Sequence, residues 1–307
     1  MATADPTSNR HRVRRTPRHP QSSLAERWTT IDGLDVFFRE SPGAAPGAPA
    51  VPVTPVTPVT PAMMHVHGFG LSGRYLLPTA ERLDGDFHIL VPDLPGFGRS
   101  GRRSRRALTV PDLADAAARF LDDRQVERAT LVGNSMGCPV ICEFGYRHAD
   151  RLDRAVLVSP AGGLHNQPLV RAIAQLARDG GREPRRMVGV AAPDYLRFGV
   201  ASTAMMFDAL MRYPTLSRLL ALPVPTLAVL GDRDPLMPSL ERVHEVVAHI
   251  ESQVVVVVIE GAAHAINFSH PGELAHVIRQ FMADEPITDD PDSPGQAHVV
   301  ELHRGRA

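Results

Sequence analysis

Five residues, Gly133-Asn134-Ser135-Met136-Gly137, constrain this chain more than any other stretch. An apolar run from Ala129 to Val132 stops at Gly133, and a helix-like run from Cys138 to His148 begins just past Gly137. A serine with glycine two residues away on either side, between a strand and a helix, is a G-x-S-x-G turn in its meaningful context. The glycines let the chain reverse so sharply that the serine side chain is thrust outward. The helix that follows aims its unpaired N–H groups at whatever that serine attacks. A glycine-rich turn with a serine N-cap has the same spelling, so the reading needs partners elsewhere.

Strand and helix signals alternate around this turn. Trp28–Ile31 and Leu34–Arg39 flank Asp32-Gly33 and read as a hairpin. Residues 41–61 pass through Gly, Ala and Pro into a threefold Val-Thr-Pro repeat, a polyproline-II spacer. Short buried strands follow at Ala62–Val66, His88–Val91, Ala129–Val132, Ala155–Val158, Thr226–Leu230 and Val254–Ile259. Helical patterns occupy Thr79–Leu83, Pro111–Asp123, Cys138–His148, Ser239–Ile250 and Gly272–Met282. Residues 162–222 hold several helical runs and no strand-like one. The expected fold is α/β: a mostly parallel central sheet with helices on both faces and one helical insertion. Binding sites then belong at the carboxyl ends of the strands.

Composition narrows the function. The chain has 307 residues, 43% of them hydrophobic and 22% charged, enough for one large domain. A net charge of −1 argues against general attraction to nucleic acid or an anionic membrane. All 33 basic residues are arginine, which excludes lysine Schiff bases, pyridoxal phosphate anchoring and the P-loop lysine. It also points to a GC-rich bacterial genome. The two cysteines, Cys138 and Cys142, share one helix face as small buried hydrophobes. No stretch approaches the ~18 apolar residues of a membrane span. Arg14-Arg15 lacks the apolar segment of a signal peptide, so a reduced cytoplasm is expected. His65 and His67 form H-x-H without a third metal ligand, so no metal and no cofactor are expected.

A serine nucleophile needs a base, the base needs an orienting acid, and the oxyanion needs donors. The strand Thr226–Leu230 runs into Gly231-Asp232-Arg233-Asp234-Pro235, offering two carboxylates. The strand Val254–Ile259 runs into Glu260-Gly261-Ala262-Ala263-His264. Serine, aspartate and histidine thus follow in order, each just past its own strand. His270, ahead of Pro271, reads instead as the start of the last helix.

At this point residues 28–284 resemble the α/β-hydrolase fold superfamily. The motifs are His67-Gly68-Phe69-Gly70, Asp93-Leu94-Pro95-Gly96-Phe97-Gly98-Arg99-Ser100, Gly133–Gly137 and Gly231-Asp232-Arg233-Asp234. The resemblance implies Ser135 as nucleophile, His264 as base and Asp234 as acid, with Asp232 a solvated loop charge. It implies an oxyanion hole from the N–H groups of Phe69 and Met136, supported by His67, Gly68, Gly133, Asn134 and Gly137. It makes 162–222 a cap, whose Leu164, Leu169, Ile173, Leu176, Met187, Tyr195, Phe198, Met205, Met206, Phe207 and Met211 offer an apolar lining. Arg171, Arg178 and Arg197 there are candidates to meet a substrate carboxylate. The remaining divisions are a disordered basic tail at 1–24, a core at 25–161 and 223–285 with a Pro/Val/Thr-rich loop at 42–61, and a disordered tail at 286–307.

The first expectation is a serine hydrolase acting through an acyl-enzyme on a small-to-medium carboxylic ester, with a small molecule as its partner. The second is a carbon–carbon bond hydrolase of aromatic ring-cleavage products, whose nucleophile turn is similar. A non-catalytic small-molecule receptor on the same fold is a third reading, disfavoured by the intact Ser135, Asp234 and His264.

Overall fold

The computed structural model describes residues 22–42, 60–102, 108–160, 181–292 and 297–305. The Val-Thr-Pro repeat, residues 103–107 and the first part of the insertion lie outside the described residues. The described strands are β1 (Ala25–Ile31), β2 (Leu34–Glu40), β3 (Ala62–Val66), β4 (His88–Pro92), β5 (Ala129–Asn134), β6 (Leu152–Val158), β7 (Thr226–Gly231), β8 (Gln253–Ile259) and β9 (Ala297–Arg304). They form a single sheet in the order β1-β2-β4-β3-β5-β6-β7-β8-β9. From β4 to β8 every pairing is parallel, while β1, β2 and β9 run antiparallel to their neighbours. The hairpin turns at Asp32 and Gly33, with φ of 52° and 73°, the left-handed pair that matches strand twist.

The described helices are α1 (Leu77–Leu83), α2 (Val110–Asp123), α3 (Gly137–Arg147), α4 (Arg185–Phe198), α5 (Val200–Arg212), α6 (Thr215–Leu220), α7 (Leu240–Val247), α8 (Ile266–Ser269) and α9 (Pro271–Met282). Successive strand residues face opposite ways, so each strand feeds two cores. Leu131 packs with Leu113 and Phe120 of α2 and Ile141 and Phe144 of α3. Its neighbour Val132 packs with Leu76, Leu83 of α1 and Leu274, Val277 and Ile278 of α9. Helix α2 begins at a capping box: Thr109 and Asp112 satisfy each other's backbone donors. Helices α4, α5 and α6 fall between β6 and β7.

Chain order and spatial order cross at β3. From β3 the chain goes to β4 on one side, then to β5 on the other. Side-by-side parallel strands with diverging connections leave a crevice beyond their carboxyl ends. Those ends carry His67-Gly68-Phe69 after β3 and Ser135 after β5, with Val66 in register with Gly133.

The end of the chain corrects one expectation. Residues 286–307 read as a disordered tail because their first third is acidic and proline-bearing, yet Ala297–Arg304 forms β9. It pairs with β8 along its length, from Gln253↔Arg304 to Ile259↔Ala297. Without it, five consecutive valines (Val254–Val258) would present an open sheet edge, the arrangement proteins avoid.

His65, at the middle of the sheet, is fully buried, and neither ring nitrogen has a hydrogen-bond partner among the described residues. Burial alone pushes its pKa down to about 3, so the fold holds it neutral. The unfolded chain takes up that proton near 6.5, so stability falls as pH drops from there toward 3. The slope is about 1.4 kcal/mol per pH unit for one such histidine. His65→Leu should flatten that limb in urea unfolding followed from about pH 7 to about 4. An equally steep acid limb in the variant would contradict this.

Candidate active site

Ser135 sits in the turn between β5 and α3 with φ of 57°, a region costly for a residue with a Cβ. Its N–H donates to the carbonyl of Val158 at 3.0 Å, and its own carbonyl accepts from Cys138 N–H at 3.0 Å. The flanking glycines are required by close approach. A Cβ on Gly137 would lie 2.3 Å from the Val66 carbonyl oxygen, and one on Gly133 would lie 2.7 Å from the Gly137 carbonyl carbon. The turn therefore presses the start of α3 onto the end of β3. Cys138 and Cys142 are free and buried on that helix, where burial pushes the Cys142 thiol up to about 12.

The structure brings the Asp234 carboxylate against the His264 imidazole. His264 Nδ1 lies 2.7 Å from Asp234 Oδ2, and both residues are buried. The second oxygen of Asp234 accepts from the Leu236 N–H at 2.8 Å. With Nδ1–H donating to Asp234, the neutral ring offers Nε2 as its acceptor. Asp232 is exposed and its Oδ1 takes the Gly261 N–H at 2.7 Å, which ties the acid loop to the histidine loop. His270 is the N-cap residue of α9.

A buried polar chain joins three of these loops. Gly68 N–H donates to the Tyr75 hydroxyl at 2.8 Å, and that hydroxyl donates to Asn134 Oδ1 at 2.7 Å. Asn134 Nδ2 donates onward to the carbonyls of His264 at 3.0 Å and Val158 at 3.2 Å. Gly68 is also where a Cβ would come within 3.4 Å of the Ser135 Cβ and 2.9 Å of the Tyr75 oxygen. His67 props the same loop from behind. It accepts the Leu94 N–H on Nε2 at 3.0 Å, which leaves Nδ1–H to donate to the Gly68 carbonyl at 2.9 Å. Burial lowers its pKa, so the ring stays neutral. Asp93 holds the adjoining turn, taking the N–H groups of Gly73 and Arg99.

The insertion packs on the loop after β3. The Phe69 ring meets Phe198 and Phe207 edge-on at 5.9 and 5.8 Å, and Phe97 stacks on Phe198 at 4.6 Å. Such pairs contribute about 0.5–1.5 kcal/mol each beyond area burial. Met187 and Met206 are buried as expected of lining or packing residues, whereas Met205 is 40% exposed and points outward. Leu164, Leu169, Ile173, Leu176, Arg171 and Arg178 lie outside the described residues; Arg197 is exposed on α4. Arg102, although exposed, donates to Ser202 Oγ at 2.6 Å and to the carbonyls of Gly96 and Phe198. A cavity of about 190 Å³ beside Phe97, Phe198 and Arg102 opens toward the β1–β2 hairpin, and none of Ser135, Asp234 and His264 lines it. Among the described residues no three His, Cys, Asp or Glu side chains gather to hold a metal, and no helix is long and apolar enough to cross a membrane.

Four residues of this neighbourhood carry no sequence signature. Tyr75 and Ser72 sit in a 3₁₀ turn that no motif marks. Asp194 and Glu183 belong to the insertion, where polar residues read as surface. Gly68, Asn134 and His264 of the same neighbourhood do lie inside motifs read from the sequence.

The alpha/beta hydrolase family model matches residues 63–277. A pimeloyl-[acyl-carrier protein] methyl ester esterase of Aeromonas salmonicida is 25% identical over 249 residues, taking in 71% of this chain and 93% of that one. The dihydrolipoyllysine-residue acetyltransferase component of the Cupriavidus necator acetoin cleaving system is 28% identical over 141 residues. That alignment takes in 46% of this chain and only 33% of the relative. A 2-hydroxymuconate semialdehyde hydrolase of a Pseudomonas strain is 31% identical over 106 residues, covering 33% of this chain and 36% of that one. Among solved structures, a bacterial membrane phospholipase A superposes with a TM-score of 0.69 at 23% identity, over 86% of this chain and 87% of that one. A thermophilic esterase from Thermogutta terrifontis does so at 0.66 and 20% identity, over 85% and 98%. The family model spans most of the chain and the sheet carries the same architecture: this protein belongs to the alpha/beta hydrolase family.

Proposed function

We propose that the protein is a serine hydrolase that cleaves a small-to-medium carboxylic ester through an acyl-enzyme. The observation that carries this reading is the buried His264 Nδ1–Asp234 Oδ2 contact of 2.7 Å, in a sheet whose strand ends also carry Ser135 and the Gly68-Phe69 loop. In this reading His264 Nε2 takes the proton of Ser135 as Oγ attacks the ester carbonyl carbon. The oxyanion is held by the N–H groups of Phe69 and Met136, the latter at the positive end of α3. Collapse expels the alcohol, which receives the proton from His264. Water, deprotonated by the same imidazole, then attacks the acyl carbon and releases the acid. Asp234 fixes the ring and stabilises the imidazolium between the two halves.

The relative that aligns over 93% of its length is a methyl ester esterase, which supports ester over other acyl chemistry. The second reading, carbon–carbon bond hydrolysis, draws on the shorter match to the 2-hydroxymuconate semialdehyde hydrolase. Both use the same serine machinery. p-Nitrophenyl esters of graded chain length, assayed beside a ring-cleavage dienoate, separate them. A receptor role predicts turnover of neither.

Four substitutions test the assignments. Ser135→Ala should abolish ester turnover by several orders of magnitude without unfolding the protein. Asp234→Asn should lower kcat by about 10⁴, because an amide favours the wrong imidazole tautomer. Asp232→Asn should cost far less, and the reverse order would move the acid to Asp232. Tyr75→Phe should lower stability by about 2–4 kcal/mol in urea unfolding, since it strands the buried Gly68 N–H and Asn134 Oδ1. It should also lower kcat, because both groups border the reacting atoms; wild-type stability and turnover would contradict the role given to Tyr75.

A further inference from the structure

Two carboxylates of the insertion end on the two loops that the hydrolytic reading uses. Asp194, on α4, is only 4% exposed. Its Oδ2 accepts both the N–H of Ser72 at 2.9 Å and the Ser72 hydroxyl at 2.6 Å. Ser72 lies three residues beyond Phe69 in the loop after β3. The next residue of α4, Tyr195, packs closely against that loop, since a Cβ on Gly70 would fall 2.5 Å from its ring. Gly70 itself has φ of 69°, so the loop's path there depends on glycine. Glu183, just ahead of α4, accepts the N–H of Ala265 on Oε1 at 2.6 Å. Ala265 directly follows His264. Charge-assisted bonds of this kind are roughly twice as strong as neutral ones, and a buried carboxylate that loses its donors is strongly penalised.

We propose that Asp194 and Glu183 are positioning residues of the hydrolytic site, so that docking of the insertion sets the geometry of the oxyanion loop and of the histidine loop. The proposal rests on the reading of Phe69 and His264 given above. Its chemistry is simple. Phe69 N–H stabilises charge only if it stands about 3 Å from the oxyanion, and the loop bearing it is held on one side by Tyr75 through Gly68 and on the other by Asp194 through Ser72. A cover that merely packed on the core would need apolar contacts, and those exist independently at Phe69, Phe198 and Phe207. Two carboxylates aimed at backbone donors add direction rather than area.

The test is a kcat and KM comparison on a p-nitrophenyl ester, with thermal unfolding of each variant alongside. Asp194→Ala should lower kcat about 10²-fold, the scale of losing one oxyanion donor, with KM moved less than about threefold. Asp194→Asn keeps an oxygen that accepts both Ser72 donors and should recover most of the loss. Ser72→Ala, which keeps the backbone donor, should lose about tenfold. Glu183→Ala should lower kcat and Glu183→Gln should restore it. A purely structural role predicts a lower Tm with unchanged kcat in the folded protein and no rescue pattern; that result would overturn the proposal. If Asp194→Ala does not fold, wild-type kcat in Ser72→Ala and Glu183→Ala overturns it equally. Ser135→Ala is the control: activity there sinks the hydrolytic reading itself, whereas an inert Ser135→Ala beside fully active Asp194 and Glu183 variants sinks only the positioning role.

Discussion

The site depends on one buried hydroxyl. Tyr75 receives the Gly68 N–H and donates to Asn134, and Asn134 spends its amide hydrogens on the carbonyls of His264 and Val158. Three loops and the end of β6, far apart in the chain, are thereby referenced to one another by direct bonds. Each bond contributes about 1 kcal/mol net, but breaking one strands a buried partner at a cost of about 1–3 kcal/mol. The network is consequently all-or-none, which suits a site where a displacement of about 1 Å costs rate. It also explains why a strained Ser135 persists: the surrounding bonds over-determine its backbone.

The sheet supplies the frame for that network. The crossing of chain order at β3 brings the ends of β3 and β5 together, and the glycines at 133 and 137 let α3 begin almost in contact with Val66. The helical insertion completes the site from above through Asp194 and Glu183. Three parts of the chain (sheet ends, loops and insertion) converge on the same few atoms, and the chemistry is a property of their joint position.

Much of this was legible in the sequence, for identifiable reasons. The six parallel strands are short apolar runs bounded by Gly, Pro or Asp, and α2 and α9 carry apolar stripes of helical period, so periodicity found them. Ser135, Asp234 and His264 lie just past strand ends, where chain order and topology coincide. Asp232 and Asp234 could not be separated by spacing; the separation appears in burial, since one faces solvent and the other faces His264. Strand β9 was hidden because it mixes His and Glu among its valines and follows an acidic segment, while its formation depends on β8 offering an edge. Tyr75, Asp194 and Glu183 were invisible because each has a partner far along the chain, and no local pattern encodes a bond across 59, 122 or 82 residues.

The central claim is that Ser135 is activated by His264 in a site organised for acyl transfer. A fluorophosphonate probe followed by intact-mass and peptide mass spectrometry tests it most directly, since the adduct mimics the tetrahedral intermediate. A single adduct is expected on the peptide containing Ser135, formed rapidly in the wild-type protein and lost in His264→Gln, which keeps the serine but lacks the base. No adduct, an adduct on another residue, or labelling at the same rate in His264→Gln would contradict it.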